Sequence, residues 1–276
     1  MRARVLGVAG LLAACAGHDP PRPIAPVVRV ASVVPALAVT STSAVAITSA
    51  PPVTDPPAPL ACLVRYYDAT ARHDDGGWSL ALADGTTVPY ADAKEVYELV
   101  YPTGPIRPIT EVDFDPGRVR IDPLMVATYG KSAKDVQASL VAVRLGGKFF
   151  MVHRKIEGPL RRVAARIDAA MRRDPSLARF FESPGGTFNW RRIAGTDMLS
   201  MHSWAIAIDL DIKRANYWHN ETTNESARLH WKNSYPQAIV DAFESEGFVW
   251  GGRWYHFDTM HFEYRPELLD PSCYPR

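Results

Sequence analysis

The chain has 276 residues, with 31 Lys and Arg against 30 Asp and Glu for a formal charge of +1. Hydrophobic residues make up 47% and charged residues 22%, which allows a packed core and excludes disorder of the whole chain. Near-neutrality without a block of like charge argues against nucleic-acid binding, which needs a basic surface.

Residues 1–14 read as a signal peptide. Arg2 and Arg4 precede the apolar run Val5–Ala14, which is far too short to span a bilayer and has the layout of a secretory signal. Leu12-Ala13-Ala14-Cys15 resembles the lipobox of bacterial lipoproteins. The resemblance implies cleavage before Cys15, thioether lipidation of Cys15 and acylation of the new amino terminus. An ordinary secretory signal with a chance cysteine is the alternative. Two or more acyl chains anchor stably where one does not. Ala16 and Gly17, in place of Asp, favour the outer membrane facing the periplasm, by resemblance to Gram-negative sorting.

Residues 15–60 read as a tether. Every Phe, Trp and Tyr lies beyond Leu60, while ten of the 23 prolines fall between Ala16 and Leu60. Without aromatics this stretch builds no core, and its prolines disfavour helix and sheet. Residues 61–276 read as one folded domain. Cys62 and Cys273 near its two ends fit either a disulfide of an exported protein or two unrelated thiols.

Trp78–Tyr90 predicts a hairpin turning at Asp84-Gly85. Ser132-Ala-Lys-Asp135 resembles a capping box that opens a short helix. Leu140–Leu145 and Lys148–His153 flank Gly146-Gly147 as a second hairpin. Leu160, Val163, Ala164, Ile167, Ala170 and Met171 keep helical spacing until Asp174-Pro175. Ile206, Ile208, Leu210 and Ile212 alternate with Ala207, Asp209 and Asp211 as a strand with one apolar face. Pro236–Glu246 predicts a helix stopped by Gly247, and Phe248–Tyr264 a strand-and-loop segment. Hairpins and helices without regular βαβ alternation give an α+β class, an antiparallel sheet with flanking helices.

The chain lacks G-x-G-x-x-G, the Walker motif, H-E-x-x-H, G-x-S-x-G and S-x-x-K. What stands out is His202 with Asp209 seven residues on, and Asp258 three residues before His261. Two His and one Asp make a three-ligand zinc site with a fourth position open to water. Fully extended, His202 and Asp209 would lie about 23 Å apart, so the chain must bend between them.

These stretches resemble the zinc D-alanyl-D-alanine carboxypeptidases and related cell-wall endopeptidases, which share the hedgehog-type peptidase fold. The resemblance rests on Gly185-Gly-Thr-Phe-Asn-Trp-Arg191-Arg-Ile-Ala-Gly-Thr, Leu199-Ser-Met-His202-Ser with Ala207-Ile-Asp209, and Gly247 through Asp258-Thr-Met-His261-Phe-Glu-Tyr. Pro116-Gly-Arg-Val-Arg and Tyr129-Gly extend it over most of residues 112–268. It implies one Zn2+ held by His202, Asp209 and His261, with Asp258 as general base toward a zinc-bound water. It also implies that Arg191 supplies positive charge and that Ser200 touches substrate. Arg192 is the alternative to Arg191. Where the family usually carries glycine, this chain has Ala205, which costs most if the bend needs positive φ.

His256 either lines the cleft or is a satisfied structural histidine, Glu263 reads as support for His261, and Trp190, Trp204, Trp250 and Trp254 read as core or cleft wall. His219 and His230 receive no role. The resemblance implies a monomeric, lipid-anchored peptidase of peptidoglycan stem peptides. An L-Ala-D-Glu-type endopeptidase and a non-catalytic zinc-containing protein that binds cell-wall peptide are the alternatives.

Overall fold

The computed structural model describes residues 55–193, 196–221 and 228–274. The expected signal at 1–14, the lipidation site Cys15 and the tether as far as residue 54 lie outside the described residues. Helix α1 (Ala58–Tyr66) begins inside the stretch assigned to the tether. Pro59 sits in its first turn, where a missing N–H is tolerated, and Leu60 and Leu63 are buried.

Strands β1 (Ala69–Asp74), β2 (Gly77–Leu82) and β3 (Thr87–Pro89) form an antiparallel meander that contains the first expected hairpin. Its turn is closed by the Asp84 carboxylate accepting the Thr86 amide at 2.9 Å. β1 escapes sequence reading because most of it is exposed and its pattern is polar. Helices α2 (Tyr90–Glu95) and α3 (Asp122–Tyr129) follow. The Ser132 hydroxyl accepts the Asp135 amide and caps α4 (Ala133–Gln137), as the motif predicts. Strands β4 (Leu140–Leu145) and β5 (Lys148–His153) pair with the expected bounds.

Helix α5 (Glu157–Arg173) buries Leu160, Val163, Ala164, Ile167 and Ala170 against β4 and against α6 (Gln237–Glu244). Strands β6 (Pro184–Gly186), β7 (Ala207–Asp211), β8 (Phe248–Trp250) and β9 (His261–Tyr264) form an antiparallel sheet in the order β6-β7-β9-β8. The assignment is α+β. β7 departs from the expected single apolar face: Ala207 and Asp211 are also fully buried. Ile212 instead lies 52% exposed, because the Asp211 carboxylate accepts the Lys213 and Arg214 amides and turns the chain out of the sheet.

Cys62 and Cys273 are bonded, with Cα atoms 5.4 Å apart, so α1 is docked on the last turn, Pro271–Cys273. No helix among the described residues is long and apolar enough to cross a membrane.

Candidate metal centre

The register of β7 and β9 places Asp209 directly opposite His261. Opposed residues in a ladder share a face, so both side chains reach one spot without any bend. His202 arrives from the other direction, on the tight turn Met201–Trp204 that Ser200 caps by accepting the His202 amide. The expected bend follows at Ala205, whose φ of 54° and ψ of 34° are left-handed. That conformation suits glycine, and alanine holds it here fully buried, with its carbonyl accepting the His153 amide at 3.0 Å.

The three side chains converge, each offering a ligand atom within 4.8 Å of the others. His202 Nε2 lies 3.2 Å from Asp209 Oδ2, and His261 Nδ1 lies 3.0 Å from Asp209 Oδ1. The far ring nitrogens are both held. His202 Nδ1 donates to the Thr187 carbonyl at 2.8 Å, and a carbonyl only accepts, so Nε2 is the nitrogen that faces Asp209 and would be offered to a metal. His261 Nε2 lies 3.1 Å from Glu263 Oε2, and Arg265 reaches the other Glu263 oxygen at 3.4 Å. Carboxylate and carbonyl partners on the outer nitrogens are how metal-binding histidines are oriented. The donor set therefore fits zinc: two imidazoles and a carboxylate, with their tautomers fixed from behind.

The same contacts set the charges of the cluster. Burial alone would strip the proton from His261, but its bonds to Asp209 and Glu263 outweigh that and raise its pKa to about 10. Burial likewise works against Asp209 as an anion, yet its bonds to His202 and His261 hold it well below the usual carboxylate range.

Asp258 stands at the start of the turn into β9, its amide donating to the Gly251 carbonyl at 3.0 Å and its own carbonyl accepting the His261 amide at 3.2 Å. Its Oδ1 is buried with no hydrogen-bond partner among the described residues. Burial pushes its pKa to about 6; the His261 charge pulls downward and the Asp209 charge upward. Tyr217 forms an isolated bridge with Asp258 and shares its surroundings with Arg118 and Arg191.

A family model described as D-alanyl-D-alanine carboxypeptidase matches residues 194–264. The match spans His202, Asp209, Asp258 and His261, and it supports a peptidase, hence a hydrolase. No curated protein and no solved structure matches the chain.

The other expected residues fall as follows. Arg191 is exposed, its amide donating to the Ser203 hydroxyl at 3.0 Å, while Arg192 turns away to Asp197. Ser200 is buried, and its hydroxyl serves the backbone of the ligand turn. His256 resolves as a structural histidine: Asp115 accepts its amide at 3.0 Å and bonds its Nδ1 at 2.6 Å. Trp204, Trp250 and Trp254 are core, and Trp190 is only partly buried against it. Glu263 supports His261, as its place on the same strand face suggests. The Thr187 carbonyl was beyond sequence reading, since a backbone oxygen has no residue signature. Arg118 and Tyr217 were missed because they join the site only through the fold.

Proposed function

We propose that the protein is a zinc-dependent peptidase that removes the terminal D-Ala from peptidoglycan stem peptides. What carries the reading is the convergence of His202, Asp209 and His261, oriented from behind by Thr187 and Glu263, next to an unpartnered Asp258 oxygen. The matched family segment covers this centre and supports a peptidase acting on cell-wall peptides. When bound, zinc supplies Lewis acidity toward a carbonyl oxygen and lowers the pKa of a coordinated water to about 7.

The protein's own groups perform the rest. Asp258, with its pKa lifted to about 6, accepts the proton of the attacking water near neutral pH and returns it to the leaving amine. Its Oδ1 has no hydrogen-bond partner among the described residues, so that oxygen is free for the exchange. Arg191 places positive charge toward the carbonyl oxygen as it becomes anionic. Ser200 fixes the turn that presents His202, and its remaining hydrogen-bonding capacity serves substrate. A lipid on Cys15 holds this monomeric domain at the cell envelope, on the periplasmic face of the outer membrane.

Incubating the zinc-loaded protein with pentapeptide muropeptides and weighing the products tests the reading. Loss of a single D-Ala is expected. A cut within the stem would make it an endopeptidase, and intact substrate with full zinc would remove the catalytic role.

A further inference from the structure

Hydrolysis at a peptide end presents two negative charges to the protein. One develops on the scissile carbonyl oxygen, and the other is the terminal carboxylate one residue beyond it. A single arginine does not serve both places.

The loop before Arg118 is fastened, residue by residue, to the segment that carries Asp258 and His261. The Phe114 carbonyl accepts the Tyr255 amide at 2.9 Å. Asp115 takes both the amide and the Nδ1 of His256, at 3.0 and 2.6 Å. The Pro116 carbonyl accepts Trp254 Nε1 at 2.8 Å, and the Gly117 carbonyl accepts the buried Arg265 guanidinium at 2.7 Å. Gly117 has φ of +89°, a backbone conformation that favours glycine.

This fastening sets the Arg118 guanidinium carbon 4.3 Å from the ring centre of Trp254. That ring centre is 5.6 Å from the ring of His261, and Trp254 is itself buried, so the platform is rigid. Arg120, two residues on, is committed to the fold: it pairs with Asp122 at 2.8 Å and donates to the Leu199 carbonyl. Arg118, by contrast, is exposed, and no carboxylate among the described residues pairs with it. Its charge still reaches the centre, where it acts on both Asp258 and Tyr217. A free guanidinium stacked on an indole is oriented in advance for a planar carboxylate, which it can grip with two parallel N–H donors.

We infer that Arg118 binds the free C-terminal carboxylate of the peptide substrate and thereby selects chain ends over internal bonds. The inference rests on the peptidase reading above and adds the residue that decides between the two peptidase types.

The test uses the full zinc-loaded protein and a synthetic peptide ending in D-Ala-D-Ala, as the free acid and as its C-terminal amide. Hydrolysis is followed directly, and affinity is measured by calorimetry in an Asp258→Asn background, where turnover does not intervene. The acid should be favoured by at least about tenfold in both, the effect of one hydrogen bond to a charged group. Arg118→Gln should remove that preference through KM while zinc content is retained. Arg118→Lys should restore part of it, since a point charge replaces a fork. A preference as large in Arg118→Gln as in the unmodified protein would overturn the inference, and so would its absence from the unmodified protein. Acid-selective binding that depends on Arg118 without any hydrolysis would uphold Arg118 and sink the peptidase reading instead.

Discussion

Replacing Cys62 and Cys273 together by alanine measures how much the closed ends contribute to stability. The bond joins residues 211 apart. By the chain-entropy relation, a loop of that length restricts the unfolded chain by about 18 cal/mol/K, or about 5 kcal/mol at 25 °C. The folded side keeps its other ties between the same elements. Tyr67 donates to the buried Glu267 at 2.7 Å, and Arg65 pairs with Asp270 at 2.7 Å, the latter exposed and worth little. With α1 still docked, the effect falls on the unfolded state, and residual structure there reduces it. The double variant should therefore lose about 3–5 kcal/mol in urea unfolding followed by tryptophan fluorescence. A loss under about 1 kcal/mol would refute the reasoning, because it would mean that closing this long loop hardly restricts the unfolded chain.

Zinc must displace the proton that Asp209 and Glu263 hold on His261 up to about pH 10. Near pH 7.5 each ion taken up should release more than one proton, one from His261 and most of another from a coordinated water of pKa about 7, read by calorimetry in buffers of different ionisation enthalpy; release of less than one would mean a neutral His261. The same proton stabilises the metal-free fold fully below the unfolded pKa of 6.5, and that stabilisation is lost as pH rises toward about 10. The urea midpoint of metal-free protein should fall across that interval. Glu263→Gln should weaken zinc affinity by about 10- to 100-fold through its hold on His261, and an unchanged affinity in a competition titration would detach Glu263 from the centre. At Ala205, glycine relieves about 1–2 kcal/mol of left-handed strain but gives up a buried methyl and adds chain entropy, so Ala205→Gly should stay within about 1 kcal/mol of the parent. Ala205→Val should cost at least about 2 kcal/mol, and a tolerated valine would show that the backbone there is not left-handed.

The convergence of His202, Asp209 and His261 was legible because these residues are chemically distinctive and lie on elements with strong local signals. β4, β5 and α5 announced themselves through Gly146-Gly147 and through the stripe from Leu160 to Ala170. The bend between His202 and Asp209 followed from extended-chain length alone, and its left-handed residue stands at the one position where the resemblance flags a missing glycine. What the sequence hid depends on distance along the chain. Arg118 lies far from Trp254 in sequence, and the five hydrogen bonds of residues 114–117 help to bring them together. Asp115 and His256 form another such pair, so the structural role of His256 could not be chosen beforehand. β7 misled through its pattern: an Asp at 211 reads as solvent-facing, yet it is fully buried as the cap of the next turn.

The central claim, a zinc centre that hydrolyses through Asp258, is tested most directly by measuring metal content and hydrolysis together on Asp258→Asn and Asp209→Ala. Asp258→Asn keeps all three ligands, so it should hold near-stoichiometric zinc while hydrolysis falls by at least about a hundredfold, the lower end for a positioned acid–base group. Asp209→Ala should lose the metal, since two histidines fall short of the three protein ligands expected of catalytic zinc. An Asp258→Asn protein that retains full activity, or one that loses its zinc along with its activity, would contradict the account.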